Sequence, residues 1–115
     1  MVSQAPKKIS SFSKIEIARL FKEATVKVRY PGVRILAGPL FPGQLYAKLL
    51  MVVSRRVGNA PQRNLIKRRL RAIFKEERLF LGMYNLTIIV DNRVIALPFT
   101  HLKALMLKAQ KFFAS

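Results

Sequence analysis

The sequence predicts an α+β fold: a single-domain sandwich of one mixed sheet with three helices, mostly on one face, in the order α-β-β-β-α-β-α. Three observations predict it. Apolar residues recur at helical spacing in three separate segments, and the stretches between them are short runs rich in β-branched residues bounded by Gly, Pro and Asn. No internal repeat or linker-like stretch divides the 115 residues, of which 51% are hydrophobic, so one core is expected. Helices that each bury one stripe against a shared sheet are the layered solution for such an order.

Residues 1–12 combine Pro6, Lys7 and Lys8 with small polar residues and lack periodicity, and read as a flexible basic arm ahead of a domain spanning 13–115. Ser13 and Glu16 have capping-box spacing, and Ile17, Leu20, Phe21 and Ala24 follow at i, i+3, i+4 and i+7, predicting a helix over 14–24. Residues 25–28 alternate β-branched side chains with lysine, Pro31-Gly32 interrupts, and 33–36 resumes an extended pattern before Gly38-Pro39 and Pro42-Gly43. Residues 45–53 are mostly apolar and bounded by Gly43 and Gly58, which favours a largely buried strand, with a helix as the alternative.

Pro61, tolerated at the start of a helix, opens a helix expected over 61–79 and ended by Gly82. Ile66, Leu70, Ile73 and Phe74 form its apolar stripe. Residues 86–90 are a compact β-branched run, hence a buried strand with Asp91-Asn92 as its turn. Pro98 leads into a last helix with Leu102, Leu105, Met106, Ala109 and Phe112 on one face.

Charge narrows the function. Lys and Arg total 22 against five acidic residues, a net +17, and such self-repulsion is relieved by a polyanionic partner, of which RNA is the expected one. There is no cysteine and a single histidine, His101, so disulfides, thiolate metal sites and catalytic triads are not expected; no catalytic residue and no metal ligand is assigned. Glu76 and Glu77 read as surface residues, since helical neighbours diverge by about 100°. The N-terminus has no apolar stretch after its basic residues, and the longest apolar run, 49–53, falls far short of the ~20 residues of a membrane span. The expectation is a soluble, cytoplasmic protein without membrane contact.

The chemistry concentrates between residues 55 and 75, where Arg55, Arg56, Arg63, Lys67, Arg68, Arg69, Arg71 and Lys75 occur with no acidic residue among them. Arg63, Lys67, Arg71 and Lys75 recur every fourth position, with Asn64 and Arg68 beside them. A solvated helix face is the bland reading, but ordinary solvated faces mix signs. A lipid-surface helix needs an outward apolar face, and here those residues are needed for the core. Phosphate binding is the better explanation.

Within this segment, Val53-Ser54-Arg55-Arg56-Val57-Gly58-Asn59-Ala60 followed by Arg63-Asn64-Leu65-Ile66-Lys67-Arg68-Arg69-Leu70-Arg71 resembles the signature of the bacterial ribonuclease P protein component. That family carries a V-S-K-K-x-G segment and an R-N-R-x-K-R-x-x-R helix in this register. The resemblance is strong over 48–74, loose over the first helix, and beyond Asn92 rests on element order alone. It departs at Leu65, where the family has the third residue of R-N-R, at Ala72, and at Ile17, where an aromatic is common.

The resemblance implies a ribosomal protein S5 domain 2-like fold with a left-handed βαβ crossover, against the usual hand. It implies a protein subunit that partners a large catalytic RNA, which removes the 5′ leader of precursor tRNA by metal-assisted hydrolysis. The RNA holds the active site and its Mg2+, and neither a cofactor on the protein nor an obligatory protein partner is implied. Contact with the catalytic RNA falls to Arg55, Arg56, Arg63, Asn64, Lys67, Arg68 and Arg71, with guanidinium forks on phosphate oxygens. Leader contact falls to Phe21, which matches a family aromatic, and to Ser54, while periodicity leaves a core role open for Phe21. Another small basic RNA-binding protein, such as a ribosomal protein, explains charge and size equally; only the paired motifs separate the two. A DNA-binding protein would show a helix-turn-helix, and here an apolar strand precedes the basic helix.

Overall fold

The computed structural model describes Pro6 and residues 8–112. Its elements are α1 (Lys14–Glu23), β1 (Thr25–Tyr30), β2 (Val33–Pro39), β3 (Leu49–Val53), α2 (Ala60–Glu76), β4 (Tyr84–Val90) and α3 (Phe99–Ala109), with 3₁₀ turns at Arg55–Val57, Leu79–Leu81 and Asn92–Ala96. The strands form one sheet in the order β1-β2-β4-β3. β1, β2 and β4 pair antiparallel, whereas β3 and β4 run parallel because α2 connects them as a crossover. The sheet is mixed and the fold α+β, as expected.

Alternation along the strands assigns the two faces. Val28, Val33, Ile35, Ala37, Leu49, Leu86, Ile88 and Val90 join Ile66, Leu70, Ile73, Phe74, Leu102, Leu105 and Met106 in one core, so α2 and α3 cover that face. Leu36 and Gly38 point the other way, and α1 packs there, with Leu20 and Ala24 against Gly38. The helices are therefore two on one face and one on the other.

Local rules explain most boundaries. α1 begins at the expected capping box, with the Ser13 hydroxyl accepting from the Glu16 N–H at 3.2 Å and the Glu16 carboxylate accepting from the Ser13 N–H at 2.8 Å. β3 starts at Leu49 rather than 45, because the preceding backbone is spent elsewhere: Ala47 donates to the Phe80 carbonyl and Lys48 to the buried Asn85 side chain. α2 stops at Glu76 rather than 79, since Arg78 adopts left-handed geometry (φ 53°, ψ 38°) and a 3₁₀ turn follows. Gly82 is thus no helix stop; a Cβ there would run into Gln110. α3 ends at Ala109, so Phe112 leaves the apolar face, pairs across from Gly82 and is 45% exposed.

Of the segment expected to be a free arm, residues 1–5 and Lys7 lie outside the described residues, and the described part is docked. Ile9 is 2% exposed in the core, and its carbonyl accepts from Leu49 N–H at 2.7 Å, covering the outer edge of β3. Lys48 reinforces this contact by donating to the Ser11 carbonyl and lying over the Phe12 ring.

Gln110 closes the opposite end. Its side-chain amide donates to the Leu79 and Tyr84 carbonyls and accepts from the Tyr84 N–H. Gln110→Ala strands these groups and is expected to cost about 2 kcal/mol, read as a lowered urea midpoint at unchanged m-value. Glu16 supplies a pH signature, because the Ser13 backbone N–H holds its carboxyl below its ordinary value. With the folded-state pKa depressed, its stabilisation is fully present above the ordinary carboxylate value and is lost as pH falls from there through the lowered folded-state pKa. Glu16→Gln is expected to flatten this part of the acid-denaturation profile.

Candidate nucleic-acid interface

The basic segment begins where β3 ends. Ser54 leads into the 3₁₀ turn Arg55–Val57, in which Val57 is buried and both arginines are exposed. Gly58 follows at φ 157°, and a Cβ there would stand 2.2 Å from the Gln62 Oε1. That oxygen is committed: it accepts from the Asn59 N–H at 2.9 Å while the Asn59 Oδ1 accepts from the Gln62 N–H at 2.9 Å, a second capping box that starts α2. Neutral amides serve both halves of this cap, so no carboxylate enters the basic surface.

Burial then sorts the candidate residues of α2. Ile66, Leu70, Ile73 and Phe74 are its buried positions. Each four-residue step turns about 40° beyond a full circle, so the stripe Arg63, Lys67, Arg71, Lys75 spirals outward from the buried side. Arg63 lies nearest the core, half-buried, and its Nη1 donates to the Gly58 carbonyl at 2.6 Å. Lys67 and Arg71 are half-buried on the flank, and Asn64, Arg68 and Lys75 are exposed. Arg68, Arg71, Ala72, Lys75 and Glu76 line a shallow groove on the outer side. None of the basic residues between 55 and 75 forms an ion pair among the described residues. Of the two adjacent carboxylates, Glu77 reaches Lys103 of α3 at 3.8 Å.

Phe21 and Ser54 occupy the other face and are not brought together. Phe21 is 46% exposed on the last turns of α1, which excludes the core alternative for it, while Ile17 is half-buried. α1 packs where Gly38 pairs with Asn85, whereas Ser54 follows Val53, which pairs with Val90 five residues further along β4. That separation is about 17 Å. Between them Leu50, Val52 and Ile89 are only half-buried, so a tract of sheet beyond α1 stays open.

Sequence reasoning passed over Arg29 and Arg34, which this face also presents. The signal was present, since a turn centred on Pro31-Gly32 pairs Arg29 with Arg34 across the strands. At the same end Arg93 grips Asp91 through contacts of 2.6–3.2 Å and holds the Asp91 carboxyl below its ordinary range. Among the described residues no group of three or more metal-ligating side chains occurs, and no helix is long and apolar enough to cross a membrane.

The Gly58 geometry is testable. Gly58→Ala forces Gln62 out of its cap and is expected to destabilise the fold by about 1–2 kcal/mol in chemical denaturation.

The chain matches the family model described as Ribonuclease P over residues 7–113. Among solved structures it is similar to the RNase P protein of Staphylococcus aureus, with a TM-score of 0.73 at 17% identity, covering 90% of this chain and 93% of that one. It is also similar to the RNase P protein of Thermotoga maritima, with a TM-score of 0.66 at 21% identity, covering 92% and 98%. No curated protein gives a significant sequence match. At these identities the structures establish a shared fold; the family match, spanning nearly the full length, establishes more, and the chain belongs to the ribonuclease P protein family.

Proposed function

We propose that this ribonuclease P protein subunit holds the catalytic RNA on the outer side of α2 and the 5′ leader of precursor tRNA along the open tract of the sheet, while the RNA supplies the catalytic groups and binds the Mg2+. The observation that carries this reading is the α2 surface: Asn64, Lys67, Arg68, Arg71 and Lys75 face outward or flank the core contact, without an ion pair among the described residues. Guanidinium forks engage phosphate oxygens in pairs, and the strands of a large RNA supply those oxygens at high density. Arg55 and Arg56 extend the same surface across the turn before α2.

Arg63 has a double task in this reading. Its bond to the Gly58 carbonyl rigidifies the turn, and its remaining guanidinium N–H groups, without a hydrogen-bond partner among the described residues, are available to phosphate. Leu65, 37% exposed where the family has an arginine, supplies apolar surface instead of charge. On the sheet face, Phe21 offers a ring for one base and Ser54 a hydroxyl at the far end of the tract. The protein itself contributes grip and position, consistent with its scattered carboxylates and its single histidine, whose ring packs edge-on against Tyr30 at 4.4 Å.

The direct test is cleavage of a precursor tRNA by a bacterial ribonuclease P RNA at low magnesium, with and without this protein. Stimulated release of the leader is expected; tight RNA binding without stimulation would reduce the chain to a general RNA binder. Lys67→Ala with Arg71→Ala leaves the Gly58 clamp intact and is the cleaner probe of the α2 surface. The double variant is expected to lower the salt slope of RNA binding by roughly 0.7 to 0.9 per lost phosphate contact.

A further inference from the structure

The β1–β2 hairpin closes about Pro31-Gly32, so Tyr30 faces Val33 and Arg29 faces Arg34. Both arginines are exposed. Like charges directly opposite one another destabilise a strand pair, and neither arginine has an ion-pair partner among the described residues. The nearby carboxylate is already engaged, since Asp91 accepts from the Nε and Nη2 of Arg93. Together Arg29, Arg34, Tyr30, Ile89, Asp91 and Arg93 line an open hollow of about 480 Å³.

The hollow is firmly built. Asp91 N–H donates to the Gly32 carbonyl at 3.1 Å. Gly32 sits at φ 90° with its Cα so close to the next turn that a Cβ would stand 2.9 Å from the Arg93 Cβ. The hairpin is thereby fastened to the end of β4.

Register places the arginines on the open face. Arg34 pairs with Ile89, and Ile89 with Val52, so Arg29, Arg34, Ile89 and Val52 form one row across the sheet. Ser54 lies two residues beyond Val52. The row runs from the β3 side to the opposite margin, three interstrand spacings of about 4.8 Å away. Half-buried Val52 and Ile89 make its β3–β4 half apolar, and two guanidinium groups without an ion pair among the described residues make its β2–β1 half cationic. Apolar surface for bases beside cations for phosphates is the pattern that accommodates a single strand.

We propose that Arg29 and Arg34 form a second RNA phosphate site, separate from α2, which receives a phosphodiester of a strand lying across the open sheet. The opposed guanidinium groups bracket the anion, whose charge relieves their repulsion. Given the ribonuclease P reading on which this site depends, two RNAs offer that chemistry: the leader of precursor tRNA and the catalytic RNA.

The test measures binding to the catalytic RNA, and binding of short-leader and long-leader precursor tRNAs by the assembled complex, for the wild type, Arg29→Ala with Arg34→Ala, and Lys67→Ala with Arg71→Ala. Because both hairpin arginines are exposed, their variant is expected to keep the wild-type circular dichroism and to unfold at or above the wild-type midpoint in low salt. Roughly ten-fold weaker binding of the long-leader precursor alone, with a salt slope lower by about 0.7 per arginine, establishes the site and assigns it to the leader. The same loss in binding the catalytic RNA establishes the site and assigns it to that RNA. Wild-type affinities and slopes in the hairpin variant, with a reduced slope in the α2 variant, overturn the hairpin site and leave the proposed function standing. Unchanged slopes in both variants overturn the α2 contact as well.

Discussion

Everything in this molecule hangs on the seating of one apolar stripe. Ile66, Leu70, Ile73 and Phe74 of α2 are at most 2% exposed against the sheet and α3, and this contact fixes the rotation of the helix about its axis. Burial of each such side chain stabilises the fold by about 1.5–3 kcal/mol. Repulsion between like charges at helical spacing costs only a few tenths of a kcal/mol per pair. The core therefore prevails by a wide margin, and α2 can present a basic surface without counter-charges of its own.

A chain with so few acids must also solve ordinary structural problems without them. Amides take over: Asn59 and Gln62 cap α2, Asn85 and Gln44 hold the loop between β2 and β3, and Gln110 seals the turn beneath β4. Each satisfies buried or terminal backbone groups that would otherwise lose water without replacement. Four of the five carboxylates are committed, Glu16 in a cap, Glu23 and Asp91 in ion pairs with near neighbours in sequence, and Glu77 in an ion pair with Lys103 of α3. Neutral hydrogen bonding in the frame keeps the field outside strongly positive, which favours capture of a polyanion.

The two faces of the sheet are covered unequally. One is sealed by α2 and α3, with Ile35, Leu86 and Ile88 at 0% exposure. The other is covered by α1 at one end only, leaving half-buried aliphatic side chains bordered by Phe21, Ser54 and the hairpin arginines. This asymmetry follows from lengths: α1 spans ten residues and is followed almost at once by β1, so it reaches across one end of the strands and no further.

The sequence by itself determined the α+β class, the element order, the first capping box, the α2 stripe and the paired motifs of the family, because each depends on residues within a turn or two of one another. Periodicity and capping are local, and they survive any arrangement of the rest. What only the tertiary structure decided depends on distant partners. β3 begins late because Asn85 and Phe80 draw off the backbone before it, and Ile9 is core because Leu49 meets it along the chain's other edge. Phe21 is outside because Leu20 alone on α1 is deeply buried, a distinction that spacing could not make between two adjacent apolar residues. The rim joining Arg93 to Arg29 and Arg34 exists only once the sheet order β1-β2-β4-β3 sets the hairpin beside the end of β4.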